Sequence, residues 1–422
     1  MQNRLADDYV VVARSPDPMN VYCFSPGLCV LPGGRLIATM DYSGPGVIDY
    51  PGRVEFKKGS GRYQVGRVFV SDDKGKTWQE KATISMLLMR PFVAGDALYV
   101  IGCSPDLGVA RSDDGGETFS EVFHFSENQI WHQAPSNVWY KGDFVYLAYE
   151  RETDLSHPWP MDGNAPILMR GNVHDDLTKK ENWTFANELV FNREIDEDAI
   201  PEWGIPFHAH VPGGYMADTR VGWLETNVVQ LLKPNDVFTD PTGHTFHLFC
   251  RTSTGLTWPG AMIKVVEKED GTLETGFEYA PSGKRILFVP IPGGGDSKFH
   301  ILFDEKTRIY WLLSNQFTDS MTDFNRMTQV ERHGYDRSRL VLHYSYNCFD
   351  WLFAGVVATG RTLRESRSYA SMAIDGDDLL ILSRSCDEKA KNGHDNDLIT
   401  FHRVKAFRSL ADRYDGIRLL EE

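Results

Sequence analysis

The segment Ser71-Asp72-Asp73-Lys74-Gly75-Lys76-Thr77-Trp78 restricts the fold more than any other part of this 422-residue chain. It reads S-x-D-x-G-x-T-W. A close copy, Ser112-Asp113-Asp114-Gly115-Gly116-Glu117-Thr118-Phe119, begins 41 residues after the first. Asp accepts hydrogen bonds from nearby backbone N–H groups, Gly supplies a positive φ, and the terminal aromatic anchors the turn in the core. Each copy follows an apolar run, so each reads as a hairpin with a rigid tip. Repetition at roughly 40–50 residues is the period of a propeller or another repeat architecture.

The rest of the chain agrees. Val10–Ala13, Leu36–Met40, Ala97–Ile101, Phe144–Tyr149, Phe246–Cys250, Arg308–Leu313, Leu340–His343, Leu379–Ser383 and Leu398–His402 are short runs rich in β-formers. Turn clusters such as Pro32-Gly33-Gly34, Pro292-Gly293-Gly294-Gly295 and Asp375-Gly376-Asp377-Asp378 separate them. Weaker copies of the turn stand at His174-Asp175-Asp176 leading to Trp183, at Glu267-Lys268-Glu269-Asp270-Gly271 and at Ser345-Tyr346-Asn347 leading to Trp351. The expectation is an all-β, six-bladed propeller using the whole chain as one domain, with seven blades as the alternative count. Blades are expected to start near residues 20, 91, 129, 205, 275 and 335. Pairing Tyr9–Arg14 with Asp397–Phe407 in one blade closes the ring and removes exposed edges.

Composition narrows the class of partner. No run approaches the ~20 apolar residues of a membrane span. The formal net charge of −15 disfavours nucleic acid and acidic membranes, although local Arg clusters still permit an anionic small substrate. Cys23, Cys29, Cys103, Cys250, Cys348 and Cys386 lack metal spacing and read as free, mostly buried thiols. Residues 1–8 carry no apolar signal core, so the expectation is a cytoplasmic protein or a mature form whose leader was removed. No cofactor is expected.

The two full turn motifs resemble the aspartate box, or BNR repeat, of the sialidase (neuraminidase) superfamily. That resemblance implies a β-propeller and a carbohydrate substrate, and it implies roles for individual residues. A family strand motif E-x-x-x-V-E-L with a following Arg is matched by Glu225-Thr226-Asn227-Val228-Val229-Gln230-Leu231 and Arg251. The nucleophilic Tyr of the family is matched by Tyr369, in Ser368-Tyr369-Ala370-Ser371-Met372-Ala373-Ile374-Asp375-Gly376. Arg337, ahead of Leu340-Val341-Leu342, fits the Arg that precedes that Tyr. Asp49 is the nearest fit to the general acid, with Asp41 behind it. A Tyr is a poor nucleophile at its usual pKa near ~10 and needs a carboxylate base, which Glu225 supplies. Arg251 and Arg337 then grip a substrate carboxylate.

The sequence departs from the family at one point. Where sialidases carry an R-I-P-like triplet, whose Arg completes a three-Arg clamp on sialic acid, this chain has Phe24-Ser25-Pro26. The expected activity is therefore sialidase-like: an exo-acting glycoside hydrolase on a terminal acidic or deoxy sugar, with discrimination against sialic acid. Lys298, His394 and Asn396 are candidate pocket residues at strand mouths. Two alternatives stay open. One is a polysaccharide lyase working by β-elimination through His132, Tyr215 and Arg251. The other is a non-catalytic glycan-binding propeller. His208 and His210 alternate suitably on a strand for a metal, but with no third ligand in the sequence no metal site is expected.

Overall fold

The computed structural model describes residues 4–57, 59–156, 161–196, 221–254, 259–295, 297–318, 322 and 326–412. Their strands form six antiparallel blades around a central channel. Blade 1 contains Tyr22–Val30, Leu36–Ser43, Tyr63–Ser71 and Gln79–Ile84, and blade 2 contains Leu87–Ala94, Ala97–Cys103, Leu107–Ser112 and Phe123–His124. In blade 3 the innermost strand is split into Ile130–His132 and Trp139–Lys141, followed by Phe144–Glu152, Asn164–Asn172 and Trp183–Phe185. Blade 4 runs Leu224–Val229, Thr245–Arg251, Pro259–Glu267 and Leu273–Gly276, and blade 5 runs His300–Asp304, Ile309–Asn315, Arg339–Ser345 and Leu352–Thr359. Blade 6 consists of Arg367–Asp375, Asp378–Ser385 and Leu398–Val404, completed by Val10–Arg14 from the other end of the chain. Val10 pairs with Phe401 and Arg14 with Leu398, so the ring closes by the expected strand exchange.

The first three blades start close to their expected positions. The fourth to sixth start later, at Leu224, His300 and Arg367. Two connections add to the displacement after blade 4. The short strands Glu278–Tyr279, Arg285–Ile286 and Phe288–Pro290 lie between blades 4 and 5, and the last of them pairs with blade 4. Helix Gln329–Arg337, opened by a capping box in which Thr328 and Glu331 satisfy each other's backbone amides, lies inside blade 5. Turn clusters inside these insertions read as blade boundaries in the sequence.

The repeated turn links the third and fourth strands of a blade. In blade 1 the Gly75 amide donates to Ser71 Oγ (2.9 Å), and Asp73 accepts from the Thr77 amide (2.9 Å) and hydroxyl (2.7 Å). Blade 2 repeats these bonds with Gly116, Ser112, Thr118 and Asp114. In blade 3 Asp176 accepts from Thr178, and in blade 4 Asp270 accepts from the Thr272 amide. In blade 5 Asn347 replaces the Asp and accepts from the amides of Phe349 and Asp350. Blade 6 has no such turn, because its fourth strand comes from the other end of the chain.

Cores form between neighbouring blades. Tyr146 of blade 3 meets Phe246 of blade 4 at 4.4 Å between centroids, and Trp78 of blade 1 meets Phe401 of blade 6 at 5.5 Å. Each large apolar side chain buried in this way contributes roughly 1.5–3 kcal/mol. Near the axis, side-chain amides bridge blades where strands do not pair. Asn137 exchanges both bonds with Val228, and Asn227 takes the Ile301 amide while donating to Phe299 O.

Candidate active site

Four innermost strands share one irregularity. Pairing slips by one residue between Phe24 and Gly27, Leu87 and Arg90, Leu224 and Asn227, and Ser368 and Ser371. Within each bulge one non-glycine residue takes a left-handed backbone: Ser25 (φ 53°), Leu88 (55°), Glu225 (56°) and Tyr369 (49°). Such a conformation costs of order 1–3 kcal/mol, and a bulge re-aims its side chain out of the ladder. Glu225 and Tyr369 therefore occupy equivalent places in blades 4 and 6.

Arg251 joins them. Its Nη1 donates to both carboxylate oxygens of Glu225 (3.2 Å each) and to the Tyr369 hydroxyl (2.7 Å). Glu225 and Arg251 are buried, whereas Tyr369 is half-buried. Burial raises the Tyr369 phenol above its ordinary value. Arg251 opposes that, Glu225 adds to it, and Arg337 and Arg384 oppose it further. The Arg337 guanidinium lies 5.9 Å from the Tyr369 ring centroid and is ion-paired with Asp336. Tyr369, Glu225, Arg251 and Arg337 thus form one cluster.

Lys298 is buried directly beneath it. Its Nζ donates to Ala370 O (2.6 Å), Ser371 Oγ (3.2 Å) and Tyr369 O (3.5 Å), so it braces the bulge that presents Tyr369. Burial lowers its ammonium to about 7, with Glu225 pulling the other way. Ser371 Oγ in turn donates to Pro26 O and Pro135 O, tying the bulge to blades 1 and 3.

The remaining residues singled out in the sequence lie apart from the cluster or at its edge. Asp49 is exposed on the short helical turn Pro45–Asp49 and makes no hydrogen bond or ion pair with Tyr369, Glu225, Arg251, Arg337 or Arg384. Asp41, on the strand paired with Phe24, is fully buried and accepts the Leu88 amide (2.9 Å). Burial lifts its carboxyl to about 7, against the Leu88 amide and the Ser25 hydroxyl. His132 is buried edge-on to Phe56, and burial, then the charges of Lys57 and Arg251, push its imidazole down to about 3. Tyr215, His208 and His210 lie outside the described residues. Among the described residues no three His, Cys, Asp or Glu side chains converge as a metal ion would require.

Phe24 is half-buried, with the edge of His394 against it at 5.5 Å. A residue that sequence reasoning missed lies over its face. The Arg384 guanidinium is 3.7 Å from the Phe24 ring centroid and 4.8 Å from that of Tyr369. Nε donates to Asn396 Oδ1 (2.7 Å) and Nη2 to His394 O. Burial lowers Arg384 to about 10, so it remains a cation. Hairpin register was the available signal: the Asp375–Asp378 turn pairs Arg384 with Ser368, one residue from Tyr369.

No family model matches the chain, and no curated protein matches it. Solved structures share its fold. An α-L-arabinanase of Penicillium chrysogenum, complexed with arabinobiose, is 12% identical with a TM-score of 0.51, over 95% of this chain and 98% of that one. The Trypanosoma rangeli sialidase, complexed with the inhibitor DANA, is 12% identical with a TM-score of 0.53, over 96% of this chain and 60% of that one. A Hadza microbial sialidase is 15% identical with a TM-score of 0.53, over 94% and 68%. At these identities the likeness is one of fold: the chain is a six-bladed propeller built like those of sialidases and arabinanases.

Proposed function

We propose that this propeller is a glycoside hydrolase that removes a terminal, carboxylate-bearing sugar from a glycan. The observation that carries the reading is the Arg251 guanidinium shared by Glu225 and Tyr369, each delivered by a bulge at the same level of the ring. Tyr369 Oη attacks the anomeric carbon as Glu225 takes its proton. The bond to the leaving oxygen breaks as an acid protonates it. Water then attacks the anomeric carbon and breaks the glycosyl–tyrosine bond, giving its proton to the carboxylate left by the acid, while Glu225 returns its proton to Tyr369. Asp49 is assigned the acid role as the solvent-exposed carboxyl group of the two candidates, whereas Asp41 is sealed in the core. Arg251 and Arg337 favour an anion in the pocket and stabilise the developing phenolate. The glycosidases among the structures of the same fold support the hydrolase part of the reading.

The test is a panel of aryl glycosides, including uronides and sialosides, with Tyr369→Phe and Glu225→Gln beside the wild type. At least one acidic glycoside is expected to be cleaved, and Tyr369→Phe to lower kcat by ~1,000-fold or more. Equal turnover by Tyr369→Phe removes Tyr369 as nucleophile. Glycan binding without cleavage of any member of the panel makes this a binding propeller instead.

A further inference from the structure

We infer that Arg384 is a substrate-carboxylate ligand and the specificity-determining cation of this pocket, standing on the wall that Phe24 forms. The inference rests on the glycosidase reading above and names a residue that the resemblance to sialidases does not supply. Three observations carry it.

The guanidinium is buried, with 4% of the residue exposed, and makes no ion pair with a carboxylate among the described residues. Asp395 and Glu225 act on it only from beyond ion-pair distance, and a buried cation without a direct partner is unfavourable, so a fold that retains one has a use for an incoming anion. Its orientation is fixed on all sides but one. The Phe24 face holds it from one side and the Tyr369 ring from another. Nε and Nη2 are taken by Asn396 and by the carbonyl of His394. Nη1 makes no hydrogen bond with the described residues and is left as a donor for a ligand. A planar guanidinium stacked on aromatic faces and tied by two bonds is pre-organised, so little entropy is lost when an anion arrives.

The third observation is position. Arg384 lies over the ring of the residue that occupies the place of the missing clamp arginine, and it touches the proposed nucleophile. The Phe24 ring, standing where the family carries a clamp arginine, is thus the platform that seats a cation from blade 6. The pocket therefore presents Arg251, Arg337 and Arg384 to a sugar acid, from blade 4, blade 5 and blade 6.

Isothermal titration of the full chain with glucuronate, galacturonate and N-acetylneuraminate, each beside a neutral hexose, tests this directly and needs no turnover. At least one acid is expected to bind, and Arg384→Gln to weaken it by about 10-fold or more while leaving the neutral sugar unaffected. Arg384→Lys should recover part of the loss. Adding Phe24→Arg to Arg384→Gln should recover more, since the new guanidinium enters the same space. Unchanged melting of Arg384→Gln guards against misfolding, and if it melts early, Arg384→Lys against wild type carries the comparison. The inference is overturned if none of the three acids binds the wild type, or if acid affinity is the same in wild type and in the Arg384 variants. Binding of an acid that depends on Arg384, without cleavage of any glycoside, upholds the inference and refutes the hydrolase reading.

Discussion

Lys298→Met offers the sharpest test of how the nucleophile strand is held. The wild-type ammonium is held near pH 7 by burial, against 10.5 for a lysine in water. That difference corresponds to about 5 kcal/mol. The sign follows from linkage. Below pH 7 the folded and unfolded states both carry the proton, and the burial penalty is present in full. Between pH 7 and 10.5 the unfolded chain keeps a proton that the folded chain has lost, so stability rises with pH by ~1.4 kcal/mol per unit. From pH 7.5 to 9.5 this amounts to roughly 3 kcal/mol, and the methionine variant would lack it entirely. The substitution also removes the bonds to Ala370 O and Ser371 Oγ, a pH-independent cost of about 1–3 kcal/mol. Urea unfolding of both proteins at several pH values gives the difference curve, in which titrations that do not feel Lys298 cancel. A difference that closes or turns in favour of wild type on going from pH 7.5 to 9.5 is expected. Parallel curves would refute the claim that Lys298 sheds its proton inside the fold. With the brace removed, the Tyr369 bulge should relax, and kcat should fall more than KM changes.

Asp41 titrates in the opposite sense. Its carboxyl is held at about 7 against 3.8 in water, so between those values the folded state keeps a proton that the unfolded chain has released. Its contribution to stability falls as pH rises by roughly 1.4 kcal/mol per unit, and Asp41→Asn should abolish that slope between pH 4.5 and 6.5; a variant that tracks wild type rejects the assignment. Gly75→Ala places a Cβ 2.2 Å from Phe401 Cε1 at φ +85°, whereas Gly33→Ala, at φ +94°, meets nothing within 4 Å. The first should cost ~2–4 kcal/mol and the second about 1, and equal urea midpoints would mean that the turn does not wedge the seam between blades 1 and 6. Removing residues 4–14 strips the outer strand from blade 6 and exposes Leu398–Val404 as an edge. Light scattering should report aggregation, and a soluble, cooperatively melting truncation would count against closure by that strand.

Much of the ring was legible because its signals are local. The S-x-D-x-G-x-T-W turn satisfies its own backbone through Ser71, Asp73 and Thr77, so sequence alone specified it, and even the Asn347 version kept the same kind of bonds. Strand runs such as Leu36–Ser43 and Leu398–Val404 were visible because β-formers cluster between turn residues. The later blade boundaries were not legible, because helix Gln329–Arg337 and the short strands around 278–290 carry turn residues of their own without ending a blade. At the site, chemistry-bearing types in a motif context were enough to single out Glu225, Tyr369, Arg251 and Arg337, which the fold brings together. Arg384 carries no motif. It reaches Tyr369 only through hairpin register and reaches Phe24 only because the ring closes blade 6 against blade 1. Packing against blade 2, where the Leu88 amide meets Asp41, sealed that carboxyl inside, while Asp49 stays exposed on its helical turn. Sequence by itself determined the repeating unit and its reactive residue types. Tertiary structure decided which charges face each other, because burial and inter-blade contact are properties of the closed ring.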